Sequence, residues 1–165
     1  MKKYLLLSAV VTVVLFACLS TGSDPNPTTV DAFSDYISWS KVNATTVTGD
    51  RSGDLGMAHG GQKGFREIYV NAAGKAVSAG QADLPYPMGT ILVKETYKRS
   101  GGQKGDLRGL TVMIKREAGY DADNDNWEYL NVSKSLKIKS QGRINLCIKC
   151  HSIAFMDDYV FTSNR

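Results

Sequence analysis

The sequence predicts an α+β domain rich in β-structure, with an antiparallel sheet of about five strands, short flanking helices and a helix near the C-terminus. Four runs of five to eight residues rich in β-branched and aromatic types occupy the middle of the 165-residue chain. Glycine-rich turns separate these runs. The later ones leave no room for helical crossovers, so neighbouring strands are expected to pair antiparallel. The length suits a single domain with one modest core.

The first 17 residues have the features of a secretory signal. Lys2 and Lys3 precede an apolar run over 5–16 that is too short to span a bilayer comfortably. The run ends in Leu-Phe-Ala-Cys, which resembles a bacterial lipobox, and Cys18 would then be the lipidated first residue of the mature protein. Plain secretion and an uncleaved anchor are the alternatives. In every case we expect the body outside the cytoplasm, in the periplasm or at the outer surface; with lipidation it would be anchored to a bacterial membrane.

Residues 18–31 are expected to form a flexible tether rich in Pro, Ser and Thr, and residues 32–165 the folded domain. Removing the signal lowers the Lys and Arg count from 20 to 18 against 16 acidic residues, so the formal charge falls from +4 to +2. A charge this small, without a basic stripe, gives no support to nucleic-acid binding.

The folded domain is expected to begin with one short amphipathic helix over 33–40 that covers the core. Phe33, Tyr36 and Ile37 follow i, i+3, i+4 spacing behind a capping Asp31. The strands are expected at 66–70, 90–97, 110–115 and 127–132, with a fifth at 45–48 or 136–139. A Gly-Gly-Gln-Lys-Gly segment occurs at 60–64 and again at 101–105. Both copies are expected to be flexible loops, because glycine and a solvated lysine suit surface turns.

One motif carries strong chemistry: Cys147-Ile-Lys-Cys150-His151 is the attachment signature of c-type haem. Two thiols three residues apart on one helical turn can each form a thioether with a haem vinyl group. The adjacent His151 is then held under the iron and presents an imidazole nitrogen as axial ligand. We therefore expect one covalent haem c on a C-terminal helix. Secretion agrees with this, because such attachment is completed outside the bacterial cytoplasm.

The cysteines leave two other chemistries open. Cys147 and Cys150 could form a redox pair or a structural disulfide. A thioredoxin-like pair normally opens a long helix inside a βαβ unit, however, and only 14 residues follow His151. A zinc site would need a fourth ligand beside these three side chains, and His59 is the only other histidine.

Few residues are candidates for the iron's sixth ligand. Met156 lies five residues past His151, on the same side of the iron, and the other methionines of the mature chain lie far upstream: Met57, Met88 and Met113. A methionine in a β-rich core usually packs rather than ligates, and the glycine-rich flank of His59 suggests an exposed loop. We expect a five-coordinate iron with an open distal site. Ligation by His59 or a methionine is the alternative.

Several segments occur in a recognisable order: Tyr36-x-x-Trp39, Arg66-Glu-Ile-Tyr-Val-Asn71, Gly89-Thr-Ile-Leu-Val-Lys-Glu95, Asn126-Trp127, the haem motif and Asp158-Tyr-Val-Phe161. Their order and spacing resemble the cytochrome P-460 family and its relatives, the β-type cytochromes c prime. The resemblance implies an antiparallel sheet with short helices, a haem held between the C-terminal motif and the sheet, and a homodimer. The four-helix cytochromes c prime do not fit, because the middle of the chain is rich in β-structure.

The resemblance also implies roles around the haem. Arg66 takes the place of an arginine that borders the distal pocket and can donate hydrogen bonds to a ligand; an ion-paired arginine at a strand edge is the alternative. Candidates for the apolar wall are Leu84, Tyr86 and Met88. Members that oxidise hydroxylamine carry a haem-bonded lysine and a distal carboxylate. Here Lys75, the only lysine of the corresponding segment 72–88, falls early in it, and Thr111 stands at the carboxylate's position.

Together these features predict a secreted or lipid-anchored mono-haem cytochrome with a His-ligated, five-coordinate iron. It would bind small ligands, above all nitric oxide, for sequestration or detoxification. The alternatives are a hydroxylamine or nitric oxide oxidoreductase, a periplasmic electron-transfer cytochrome with a redox partner protein, and a structural lipoprotein without haem.

Overall fold

A single antiparallel sheet forms the framework of the computed structural model, which describes residues 26–43, 47–48 and 65–161. Within these ranges the sheet has seven strands: β1 (Ser40–Lys41), β2 (Val47–Thr48), β3 (Phe65–Val70), β4 (Ile91–Ser100), β5 (Gln103–Lys115), β6 (Trp127–Ser133) and β7 (Ile138–Gly142). The five longer strands pair in chain order, and β1 and β2 both pair with β3. The predicted β-rich fold class is confirmed.

The helices are few and short. Helix α1 (Lys75–Ser78) lies between β3 and β4, and α2 (Asn145–His151) follows β7 and continues into a 3-10 helix over Ser152–Asp157. Further 3-10 turns occupy Val30–Ala32, Tyr36–Ser38 and Ala122–Asn124. None of the helices in the described part of the chain has the length and hydropathy needed to cross a membrane.

The predicted amphipathic helix over 33–40 is wrong in its type. This segment contains the 3-10 turn Tyr36–Ser38 and begins just after the turn at Val30–Ala32. Phe33, which directly follows the first 3-10 turn, and Tyr36, which begins the second, are buried in the core, whereas Ile37 is 62% exposed. A segment this short does not sustain an α-helix on its own. Burial of two aromatic rings decides its conformation instead.

Both faces of the sheet are covered, because alternate side chains of each strand point to opposite sides. On one face, Phe33 and Tyr36 pack against β4, β5 and β6. On the other, the residues around α2 and the chain's last described turn pack against Val70, Leu92 and Tyr129. We call this second surface the haem face. The predicted core cover is thus confirmed on one face, and the C-terminal motif lies on the other.

The glycine-rich segment 101–105 is mostly not a loop. Only Gly101 and Gly102 form the turn between β4 and β5, with φ of 55° and 85°. Two successive positive φ values are the requirement of a tight hairpin turn whose twist matches the strands. The remaining three residues extend β5, which is why that strand begins seven residues before the predicted start at 110.

Several predictions fall outside the described residues: the signal segment 1–17, Cys18, Met57, His59 and the segment 60–64. The last residues of the predicted tether are described, and they contact the domain. The Thr28 hydroxyl donates a hydrogen bond to Glu128 at 2.7 Å.

Candidate functional site: the haem-attachment helix and its cavity

The predicted haem motif lies entirely on α2, and His151 is the last residue of this helix. Cys147 and Cys150 are three residues apart on this helix, both are half-buried, and neither forms a disulfide. The sheet pairings of the described strands are all antiparallel, so α2 does not belong to the βαβ unit that a thioredoxin-like pair would need. Among the described residues no group of three or more His, Cys, Asp and Glu side chains is arranged to hold a metal ion.

His151 is held in one orientation by its surroundings. It is buried, and its ring contacts Tyr129 and Phe161 with centroid distances of 5.2 and 5.5 Å. Nδ1 lies 2.7 Å from the carbonyl oxygen of Tyr159. A carbonyl only accepts, so Nδ1 carries the proton and Nε2 keeps its lone pair, the arrangement found in metal-ligating histidines.

Burial also keeps this imidazole neutral. It lowers the pKa of His151 to about 4, and the positive charge of Lys94 acts in the same direction, whereas the hydrogen bond to the Tyr159 carbonyl opposes the shift. A neutral imidazole is the form that can ligate iron.

A buried aspartate fixes the turn that carries the Tyr159 carbonyl. Asp158 accepts hydrogen bonds from the Tyr86 backbone N–H at 2.7 Å, from the Lys115 amine at 2.6 Å and from the Trp127 indole at 3.2 Å. The indole also donates to the Asp158 carbonyl at 2.9 Å. These contacts tie the turn to β5 and β6. The Tyr159 carbonyl, and with it His151, is therefore positioned by the sheet.

A cavity of about 790 Å³, counted out to its open mouth, lies between α2 and the haem face of the sheet. Cys147 and His151 form part of its wall. Most of the remaining wall is apolar and includes Ile68, Leu92, Met113, Leu130, Val160 and Phe161. A mostly apolar cavity with a few polar groups is typical of cofactor sites.

Four polar side chains also line this cavity: Arg66, Lys94, Thr111 and Tyr129. Arg66 is buried on β3, and the amide of Asn43 clamps the backbone there, donating to the Arg66 carbonyl and accepting from the Ile68 N–H. Lys94 is half-buried on β4, and burial, with the nearby charge of Arg66, lowers its pKa to about 7. The buried hydroxyl of Tyr129 has no hydrogen-bond partner within the described structure.

These residues fit a c-type haem. Two thiols on one turn, a buried neutral imidazole oriented through its Nδ1 and a mostly apolar cavity beside them are what the cofactor requires. The Tyr129 hydroxyl, which is buried beside this cavity, has no hydrogen-bond partner within the described structure. Buried hydroxyls are rarely left unpaired, so we expect a polar group bound in the cavity to pair with it.

The other candidates from the sequence divide into two groups. Tyr86 is buried and Thr111 half-buried, and both line the cavity together with Met113. Leu84 and Met88 do not line it; they are 40% and 68% exposed. The apolar wall is instead built mostly by strand residues, together with Tyr86 from the loop before β4 and with Val160 and Phe161 near the C-terminus.

Lys75 and Met156 also lie away from the cavity. Lys75 is an exposed residue at the start of α1, and Met156 is 76% exposed. Neither belongs to the wall.

Sequence reasoning did not single out Lys94, Tyr129 or Asp158. One signal was available for Lys94, because a Lys-Glu pair in the middle of an apolar strand is unusual and alternation places Lys94 on the same face as Leu92. The partners of Asp158 lie 31 to 72 residues away, so no local pattern reveals them.

Comparison with known proteins agrees with the motif and the cavity. A search of curated proteins finds no match. The family model for cytochrome P460 matches residues 33–162, which is most of the chain. The matched range includes every strand of the sheet, the haem motif and the residues that line the cavity. This family implies a haem cofactor, in agreement with the chemistry of α2. The chain belongs to the cytochrome P460 family.

Proposed function

We propose that the protein is a secreted or lipid-anchored mono-haem cytochrome that binds nitric oxide and thereby sequesters or detoxifies it. The observation that carries this proposal is the state of His151, which directly follows Cys150: its imidazole is buried, held through Nδ1 by the Tyr159 carbonyl, and lies in the wall of a mostly apolar cavity. Cys147 and Cys150 would hold a single haem through thioethers. When bound, the haem supplies an iron centre that takes a small ligand at an open coordination position.

The chain's own residues then decide which ligand enters. The apolar side chains of the cavity wall favour small neutral molecules over strongly hydrated ones, because the wall offers few groups to replace a hydration shell. Arg66 is buried at the same wall and can donate hydrogen bonds to a bound ligand. His151 would ligate the iron, and its ring is kept in place by contacts with Tyr129 and Phe161.

Absorption spectra test this function directly. Full-length protein matured in a bacterium with a c-type haem assembly system should show the spectrum of a covalent haem with high-spin iron. The reduced protein should bind both carbon monoxide and nitric oxide. A six-coordinate ferrous spectrum that neither gas alters would contradict the proposal, and a colourless protein would contradict haem binding altogether.

Export and anchoring are proposed from the signal segment and the Leu-Phe-Ala-Cys sequence. Growth with a radioactive fatty acid should label the wild-type protein, and Cys18→Ser should lose the label and leave the membrane fraction. A labelled Cys18→Ser protein, or an unlabelled wild type, would contradict lipidation at this residue.

Oxidation of hydroxylamine or nitric oxide is the second candidate. It would need an electron acceptor and, by resemblance to the members that perform it, a lysine bonded to the haem. Lys75 does not line the cavity, which favours gas binding over this chemistry. The mass of the haem peptide decides: haem plus the segment around Cys147 and Cys150 alone supports the first proposal, and an additional lysine-containing peptide supports the second.

Electron transfer to a redox partner protein is the third candidate, and the position of one methionine favours it. Met113 lines the cavity and could close the sixth position. Low-spin iron in the wild type that becomes high-spin in Met113→Leu or in His59→Ala would support this function. High-spin iron in all three proteins supports the open site.

We also propose that the protein is a homodimer, as the resemblance to the cytochrome P-460 family implies. Analytical ultracentrifugation of the purified protein measures its oligomeric state.

A further inference from the structure

A set of exposed apolar side chains lies around the helix that carries the haem motif. In the described part of the chain seven large hydrophobic residues are exposed, and six of them belong to two segments: the loop before β4, and the run from α2 into the 3-10 helix that follows it. We call these six the apolar patch: Leu84, Met88, Leu146, Ile153, Phe155 and Met156.

The two segments meet at one end of the sheet. Asp158, which follows the 3-10 helix, accepts a hydrogen bond from the Tyr86 backbone N–H at 2.7 Å, and Tyr86 lies between Leu84 and Met88. Asp158 also lies 2.6 Å from the amine of Lys115, the last residue of β5. The apolar patch therefore belongs to the end of the sheet at which β5 finishes.

This exposure exceeds what a solvated surface usually shows. Soluble monomers rarely expose contiguous apolar areas larger than a few hundred Å², and six large side chains, five of them more than half exposed, present an area of about that order. None of the six lines the haem cavity, so a haem held there leaves them uncovered. Apolar surfaces of this kind mark contacts with a protein or a membrane.

The N-terminal segment joins the domain at the same end of the sheet. Arg116, which directly follows β5, donates a hydrogen bond to the carbonyl oxygen of Asn26 at 3.4 Å. Thr28 donates to Glu128, the second residue of β6, at 2.7 Å. The eight residues 18–25 can span at most about 29 Å. A lipid on Cys18 would therefore hold this end of the sheet close to the bilayer.

The other end of the sheet lies much farther from such an anchor. β5 has 13 residues, and at about 3.3 Å per residue it is about 40 Å long. The turn at Gly101 and Gly102 precedes its first residue and so lies at the far end. A tether of this reach brings the apolar patch, rather than the hairpin turn, to the membrane.

We propose that the apolar patch docks on the surface of the lipid bilayer to which the protein is anchored. The inference rests on the lipid-anchored form of the proposed function, because the anchor brings this end of the sheet to the membrane. Leu146 and Ile153 enter the boundary between headgroups and acyl chains, and the exposed Lys149 between them reaches the headgroups with its amine. Helix α2 then lies beside the lipid phase, into which small apolar molecules partition from water.

Burial of apolar area, rather than charge, drives this docking. Exposed charges of both signs lie next to the apolar patch, with Lys149 on α2 and Asp83 beside Leu84. Asp157, beside Met156, is half-buried. These charges offer little net attraction to anionic lipids, so a neutral bilayer is sufficient.

The test uses the haem-loaded mature chain, exported behind a plain secretory signal and carrying Cys18→Ser so that no lipid is attached. It is mixed with vesicles of phosphatidylcholine and phosphatidylethanolamine, and the haem absorbance of the sedimented vesicles gives the partition coefficient. The test variant combines Phe155→Ser with Met156→Ser. Ile37→Ser is the matched control, because Ile37 is 62% exposed, as Phe155 is, but belongs to the 3-10 turn that covers the other face of the sheet.

The protein without these substitutions should bind, the double variant should bind about tenfold or more weakly, and Ile37→Ser should stay within about twofold, because only the double variant loses apolar area that leaves water. Adding the anionic phosphatidylglycerol should change the partition coefficient less than about threefold. Absence of binding, or equal binding of the double variant, overturns the proposal. Binding that requires phosphatidylglycerol also overturns it, since charge would then be responsible.

Sedimentation velocity of the same lipid-free proteins tests a different occupant, a second copy of the chain. If the double variant turns a dimer into a monomer while its vesicle partition is unchanged, the apolar patch is an interface between copies and the proposal is overturned. Met88→Ser repeats the test from the other segment if the double variant fails to load haem; its partition should fall, and an unchanged value overturns the proposal. A wild type that incorporates no fatty acid would refute lipid anchoring, while vesicle binding of the lipid-free protein still decides the docking surface.

Discussion

Asp158 is expected to be a major determinant of stability, and its replacement by Ala is the sharpest test of the packing on the haem face. The side chain is 2% exposed and lies 2.6 Å from the Lys115 amine, itself 7% exposed. It also accepts hydrogen bonds from the Tyr86 backbone and the Trp127 indole. Removing it would leave a buried cation and a buried backbone donor without their acceptor.

The magnitude follows from these contacts. Removing one partner of a buried ion pair costs about 3–5 kcal/mol, because the remaining charge is left uncompensated. Two features limit the loss here. Asp125 lies 3.6 Å from the Lys115 amine and is half exposed, and the Trp127 indole keeps its bond to the Asp158 carbonyl. We therefore expect Asp158→Ala to lower the free energy of unfolding by about 3 kcal/mol.

Guanidinium chloride unfolding of the haem-loaded protein, followed by tryptophan fluorescence, measures this loss. Asp157→Ala is the matched control, because Asp157 is the preceding residue but is only half-buried. The double variant Lys115→Met with Asp158→Ala should be more stable than Asp158→Ala alone, since it removes the orphaned charge. A loss below about 1 kcal/mol for Asp158→Ala, equal to that of the control, would refute the reasoning.

Three further outcomes are expected. Gly74→Ala should destabilise the protein by about 1–3 kcal/mol, because a Cβ there would lie 2.5 Å from the Thr90 methyl group; a neutral effect in thermal unfolding would contradict the packing. Tyr36→Phe should lower stability by about 1–2 kcal/mol, because the buried Glu95 loses one of its two tyrosine donors; urea unfolding with unchanged midpoint would contradict this. Cys150→Ser should reduce the covalently bound haem, visible as weaker haem staining on a denaturing gel, and staining equal to wild type would contradict attachment at this residue.

The four strands were predictable because each is a run rich in β-branched and aromatic residues. In β4, for example, Ile91 and Val93 are buried on one face and Leu92 on the other. The first and last residues of these strands were harder to predict. The turn at Gly101 and Gly102 depends on two residues with positive φ. Once that turn forms, Gln103 and Lys104 pair with Ser100 and Arg99 of β4 regardless of their weak strand propensity.

The N-terminal segment illustrates a different limit. A spacing of three and four suits either helix type over so few residues, and the buried contact of the Tyr36 hydroxyl with Glu95, 59 residues away, is tertiary information. The haem cavity likewise depends on tertiary contacts that local spacing does not reveal. The motif identifies Cys147, Cys150 and His151 from local spacing alone, whereas the approach of Arg66 and Lys94 depends on the register of two strands.

We propose that His151 ligates an iron whose other face is open. Resonance Raman spectroscopy of the reduced protein tests this most directly, because the iron–histidine stretching band is seen only in five-coordinate ferrous haem. We expect this band to be present in the wild type, to disappear when carbon monoxide binds, and to be absent in His151→Ala. Absence of the band in the reduced wild type, with the signature of low-spin six-coordinate iron, would contradict the open coordination position.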